Sequence, residues 1–178
     1  MSEAHDAQLA QDVALDARSF LETLEAVASG EAGSQAISLL LLDVARICVA
    51  GAQLGALTDV ILDSNVEPMV PSVPDADALR VRLAEELSPV DAYVEVFDPY
   101  AEAELVAYSL SDDLTEIAGD LVHGLRHFDA GRSEESLWWW QFTYLNHWGN
   151  HAGAALRALQ AVVAHVRLDA VPEPAPEA

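Results

Sequence analysis

Lysine is absent from these 178 residues and cysteine occurs once, at position 48. Eight arginines stand against 30 aspartates and glutamates, giving a formal net charge of -22 at pH 7. Nucleic-acid affinity rests on neutralising phosphates with Lys and Arg, so direct DNA or RNA binding is disfavoured. An anionic membrane surface is disfavoured on the same ground. Solubility or a basic protein partner is the natural use of such charge. Without lysine there is no Schiff-base chemistry. A single cysteine allows no internal disulfide and fits a reducing compartment. Cys48, inside the apolar run Ile47-Cys48-Val49, reads as a buried, inert thiol. Residues Met1 to Asp6 lack the basic region and apolar stretch of a signal peptide, so a cytoplasmic protein is expected.

Proline is also missing from long stretches. Residues 1–67 and 100–171 contain none, while the eight prolines gather at positions 68–99 and 172–176. The proline-free stretches can hold long helices. Leu9, Val13, Ala17, Phe20, Leu24 and Val27 recur at helical spacing and predict a helix over 5–29, stopped by Gly30. Ser34 should cap a second helix, about 35–56, apolar nearly all round and therefore expected at the centre of a bundle. A charge at the middle of a membrane span costs about 2.5–3.5 kcal/mol, so Asp43 and Arg46 argue against a spanning segment over 37–57. Residues 57–65 could add another turn or two. Asp75 should cap a shorter helix over 76–88.

Tyr93 to Phe97 alternates like a strand but shows no evident pairing partner, and predicts an extended aromatic segment lying along the bundle. Ser109 or Ser111 should cap a helix over 111–130, with Asp112 and Asp113 placed against its positive end. The last and longest helix is expected from about 134 to 168, unbroken. The fold class that follows is all-α: an up-and-down bundle of four long helices, a shorter helix and the extended aromatic segment. A single domain over 1–170 is expected, followed by a disordered Pro/Glu/Ala tail at 171–178.

Eleven of the twelve aromatic side chains lie between Tyr93 and Trp148. On the last helix, Trp140, Tyr144, Trp148 and His151 fall on one inward face, with His147 at its margin. Trp139 points the other way and needs cover, for which the aromatic extended segment is the obvious candidate. Tyr93, Phe97, Trp140, Tyr144 and Trp148 could together wall a small-ligand pocket. His147 and His151 are spaced i, i+4, as helical metal sites present two imidazoles to one ion, although no Glu follows His147 as an HExxH protease requires, and the same placement suits histidines that hydrogen-bond carboxylates or backbone carbonyls at the core margin. Antiparallel packing across Gly131 would carry Asp112, Asp113 and Glu116 to these histidines. His123 and His127 repeat the spacing on the preceding helix, in line with Asp113, Glu116 and Asp120. They should lie too far away to share an ion with the other pair; such an acidic-plus-His line can bind divalent cations, and a solvated helix flank looks the same. Gly-rich phosphate loops, GxSxG elbows and Cys/His zinc spacings are all missing.

Three motifs in order carry a resemblance: Tyr93 through Tyr100, Ser109 through Leu114, and Trp140 through His147-Trp148-Gly149-Asn150-His151. They resemble the bacterial family catalogued as domain of unknown function 5063, over about Phe20 to Leu168, in an actinobacterial-like form. The resemblance implies a small bacterial cytoplasmic protein without an assigned activity. Three functional expectations follow. The first is a non-enzymatic acidic interaction module, with a homodimer as one way to cover exposed apolar surface. The second is a bundle that binds a divalent metal, or uses one for hydrolysis, through His147 and His151 with Asp112, Asp113 or Glu116. The third is small-ligand binding in the aromatic pocket.

Overall fold

The computed structural model describes residues 3–56, 59–62, 75–96, 100 and 104–168. Its elements are α1 (Glu3–Ala28), a 3-10 turn (Gly33–Gln35), α2 (Ala36–Ala56), α3 (Ala76–Glu86), β1 (Ala92–Val96), β2 (Leu105–Ser109), α4 (Leu110–Asp129), α5 (Ser133–Thr143), a π turn (Tyr144–Trp148) and α6 (Gly149–Leu168). The all-helical architecture read from the sequence is what the chain forms, with a small two-stranded sheet added. The proposed tail at 171–178 lies outside the described residues, as does most of the extra turn suggested after α2. Of that turn, Asp59 to Leu62 are described and are not helical.

The apolar stripes close into one core. Phe20 and Leu24 of α1, Leu40, Ile47 and Leu54 of α2, and Leu114 and Ile117 of α4 are all buried, as are Trp140 and Trp148. The α2 helix is not central. It buries one stripe, from Leu40 through Val44, Ile47 and Gly51 to Leu54, and turns Leu42 and Val49 outward. With its preceding turn (Gly33–Ala56) it is long and apolar enough to cross a membrane, with a mean hydropathy of 1.8 over its most apolar window, of which 39% is buried. Asp43 ties it to α1: Ser19 Oγ and Thr23 Oγ1 donate to that buried carboxylate at 3.1 and 2.5 Å, and Arg46 of the next turn at 2.8 Å. A buried charge with this many donors is satisfied in place, which identifies α2 as a helix docked on its neighbour.

The caps depart from expectation in two places. Ser34 lies inside the 3-10 turn rather than at a helix start, and Asp75 precedes α3 at a φ of 62° without a side-chain capping bond. Ser109 does cap α4, accepting from Asp112 N at 3.2 Å.

The aromatic segment differs most from its expectation. It has a partner: β1 pairs antiparallel with β2, Tyr93 opposite Tyr108 and Val96 opposite Leu105, with the two tyrosine rings stacked 5.9 Å apart. The second strand, Leu-Val-Ala-Tyr-Ser, was hidden because it runs without a break into the capped start of α4.

From Ser133 to Leu168 the chain is one rod, as expected, but it contains a π turn. The buried stripe of Leu137, Trp140 and Gln141 continues through that turn to Trp148. After Trp148 the buried positions are Ala152, Ala155 and Leu159, while Val166 is exposed. Gly51 of α2 allows the close approach: a Cβ there would overlap the Tyr144 ring.

Candidate functional site

Gly131, at a φ of 75°, ends α4 and turns the chain back as α5. The last rod therefore runs alongside α4, and its middle meets the first half of α4, where the acidic residues are. At this junction each of two histidines is held on a carboxylate. His151 Nδ1 donates to Asp113 Oδ1 at 2.7 Å, and His147 Nδ1 donates to Asp120 Oδ2 at 2.7 Å. The two imidazoles pack edge to face, 5.0 Å between centroids. Tyr93 of β1 donates to the second oxygen of Asp113 at 2.5 Å, so the hairpin is tied to α4 and α6 through one carboxylate.

The electrostatics follow from this bonding. Asp113 is fully buried. Its hydrogen bond and charge hold the His151 pKa above the ordinary histidine value, burial opposes them, and Glu116 and Asp120 add smaller attractions. Burial raises the Asp120 carboxyl, and the hydrogen bond from His147 partly offsets that. Tyr93 is raised by burial and by donating to Asp113, so its hydroxyl keeps its proton. Each Nδ1 is engaged, which leaves Nε2 of each ring as its second polar atom. Glu116 Oε2 lies 3.7 Å from His147 Nε2.

Ala107, Tyr108 and Ser109 of β2, with Asp112, Asp113, Glu116, His147 and His151, line an open cleft of about 610 Å³. The sequence expectation that Asp113 and Glu116 meet His147 and His151 is what the packing produces. Asp112 lines the same cleft but turns to Ser109 Oγ at 2.6 Å and Arg80 Nη1 at 3.6 Å. Asp120 was not among the residues singled out as anchors. The signal was present, since Asp113, Glu116 and Asp120 share one face of α4 at i, i+3 and i+7.

The expected aromatic pocket is not formed as one site. Trp140 and Trp148 are sealed in the core, with their indole N–H groups donating at 3.2 Å to Leu121 O and Trp140 O. Tyr144 packs against Trp148 with ring centroids 4.9 Å apart. Tyr93 lines the groove beside β1, and Phe97 lies outside the described residues. Buried indoles fill volume and satisfy their single donor on backbone, so the tryptophan faces become core rather than wall.

Trp139 is covered by α4, not by the hairpin. Its indole stacks on His123 at 3.7 Å and donates to Asp120 O at 3.2 Å. Trp138 stacks on exposed Phe142 at 5.3 Å. His123 and His127 are not a solvated flank. Both are buried, with their Nε2 atoms 3.3 Å apart. Glu135 Oε2 lies 2.8 Å from His127 Nδ1, without hydrogen-bond alignment. Burial lowers the His123 pKa to about 4, with His127 and Arg126 adding to the shift. Cys48 is half-buried and its thiol is pushed up to about 11.

The family model for a domain of unknown function, DUF5063, matches residues 5–165. The chain belongs to this family. It is also similar to the crystal structure of protein BF1032 from Bacteroides fragilis, with a TM-score of 0.70 and 20% sequence identity. That match covers 91% of this chain and 94% of the other. At such identity the likeness to BF1032 concerns the fold. No curated protein matches the chain.

Proposed function

We propose that this DUF5063 protein is a non-enzymatic binding module that engages a basic segment of a protein partner at the histidine–carboxylate cleft. The observation that carries this reading is the division of labour among the carboxylates. Asp113 and Asp120 are spent on holding imidazoles, while Glu116, and Asp112 beside Ser109 and Arg80, stand at the mouth with side chains 56% and 58% exposed. A guanidinium or ammonium group could meet both. Exposed ion pairs contribute roughly 0.2–1 kcal/mol each, so several contacts are needed and binding should weaken with salt. Three nearby hydroxyls are committed to carboxylates: Tyr93 to Asp113, Ser109 to Asp112 and Ser111 to Asp91. None of these is set against an imidazole as a nucleophile would be, which favours binding over catalysis. A sole cysteine, which can form no internal disulfide, suits a cytoplasmic setting.

Titration of a labelled oligoarginine peptide tests the reading. Binding should be strong at low salt, fall steeply as salt rises, and weaken about three- to tenfold in an Asp112→Asn/Glu116→Gln double variant. Equal affinity of both proteins would remove the cleft as the contact. No binding at low salt would remove the module itself.

A metal reading has one observation in its favour. Carboxylates on both Nδ1 atoms are the outer-shell arrangement that orients metal-bound histidines. Against it, among the described residues no group of three or more His, Cys, Asp or Glu side chains is arranged to hold an ion.

A further inference from the structure

The β-hairpin stands between two depressions. The cleft described above lies along β2. All five residues of β1, together with Leu105 and Tyr108 of β2, line a larger groove of about 1160 Å³ whose opposite wall is α6. The backbone of β1 is half used. Leu110 N donates to Asp91 O at 2.9 Å, which with the observed register makes Asp91, Tyr93 and Glu95 the residues bonded across to β2. The N–H and C=O groups of Ala92 and Val94 therefore point away from β2, along the free side of a strand that lines the groove. At the end of the strand the outward Val96 N–H is taken by the Glu95 carboxylate at 2.8 Å.

The opposite wall is built from small side chains. Gly153, Ala154 and Ala158 face the strand, and a Cβ placed on Gly153 would meet nothing within 4 Å. Core packing therefore does not require glycine at position 153, and the space there is open. Arg157 reaches from α6 to pair with Glu95 of β1, bracing the two walls at one point.

We propose that this groove receives an extended, net-basic polypeptide segment, which adds to the hairpin as a third strand beside β1. The proposal rests on the reading of the protein as a binding module for a basic partner and adds, beyond the cleft, a second contact for an extended part of that partner. Two features select the occupant. Outward N–H and C=O groups on alternate residues are matched by another strand, which offers the same groups at the same repeat. The chain's net charge of -22 attracts a basic segment over an acidic one, while the groove's own Glu95 and Arg157 are paired with each other. A bare strand edge invites such pairing unless it is blocked. Here the block is partial: among the described residues Glu95 covers the Val96 end, and none takes the outward backbone groups of Ala92 and Val94.

The test uses the full chain and a synthetic peptide of alternating valine and arginine, compared with a version of equal charge carrying proline at alternate positions. Affinity is read by fluorescence anisotropy and backbone engagement by amide hydrogen exchange. The alternating peptide should bind at least about tenfold more tightly than the proline version. It should also slow exchange at the Ala92 and Val94 amides. Val94→Pro removes an outward N–H without touching the ladder to β2 and should abolish the preference between the two peptides. Gly153→Phe should do the same by filling the groove, which keeps the proposal testable if the proline variant misfolds. Equal binding of both peptides with no amide protection would overturn strand addition while leaving the module reading intact. Failure of either peptide to bind at low salt would overturn both.

Discussion

Replacing Asp113 by Asn tests the centre of the site. The wild-type carboxylate is fully buried and accepts from two donors, Tyr93 Oη at 2.5 Å and His151 Nδ1 at 2.7 Å. Asn keeps the shape but has one accepting oxygen, so its NH2 must face one of these donors. Losing a hydrogen bond to a charged group and leaving a buried donor unmet costs roughly 2–4 kcal/mol. For a chain of this length that corresponds to a fall in Tm of about 5–15 °C. The loss should depend on pH with a definite sign. His151 is raised above the ordinary histidine value in the folded state by its bond to Asp113. Its contribution to stability is complete below the unfolded value near 6.5 and is lost as pH rises through the raised folded value. Urea denaturation should therefore show the widest gap between wild type and variant near pH 6, narrowing toward pH 9. The His151 imidazole signal should titrate at lower pH in the variant. A gap of constant size across that range, or a variant as stable as wild type, would refute the coupling of Tyr93, Asp113 and His151.

Three further outcomes are expected. A Cβ on Gly124 would overlap the Trp140 indole, whose N–H is bonded to Leu121 O, so Gly124→Ala should destabilise by about 1–3 kcal/mol and shift tryptophan fluorescence. Unchanged emission and melting would mean that the helix pair is looser than described. His123 is held neutral by burial down to about pH 4, so the unfolded chain takes up its proton first and stability should fall between about pH 6.5 and 4. His123→Phe keeps the ring stack on Trp139 and should flatten that part of the stability–pH curve; an unaltered curve would count against the buried assignment. Added zinc or manganese should leave the Tm of untagged protein unchanged, because no three-donor set is present among the described residues. A rise abolished by His147→Ala would restore the metal reading.

Much of the helical plan was legible because it depends on local rules. Leu9 through Val27 and Leu110 through Leu125 repeat at the helical period, and Ser109 carries its own capping chemistry. The meeting of Asp113 and Glu116 with His147 and His151 was also accessible, since antiparallel packing across Gly131 fixes which ends are adjacent. Periodicity could not tell which apolar face would be buried deepest. The outward Leu42 and Val49 of α2 look the same in sequence as its inward stripe, so a helix on the flank read as a central one. Nor could it show that Leu105 to Ser109 would leave the helical pattern to pair with β1.

The sequence alone determined the acidity, the helix boundaries set by proline and glycine, and the i, i+4 placement of each histidine pair, because composition and helical geometry act over a few residues. Tertiary structure alone decided which histidines would be buried, that Asp120 rather than Asp112 would hold His147, and that Trp140 and Trp148 would be core instead of pocket wall. Those outcomes depend on competition among distant side chains for the same volume and the same hydrogen-bond partners, which no local pattern encodes.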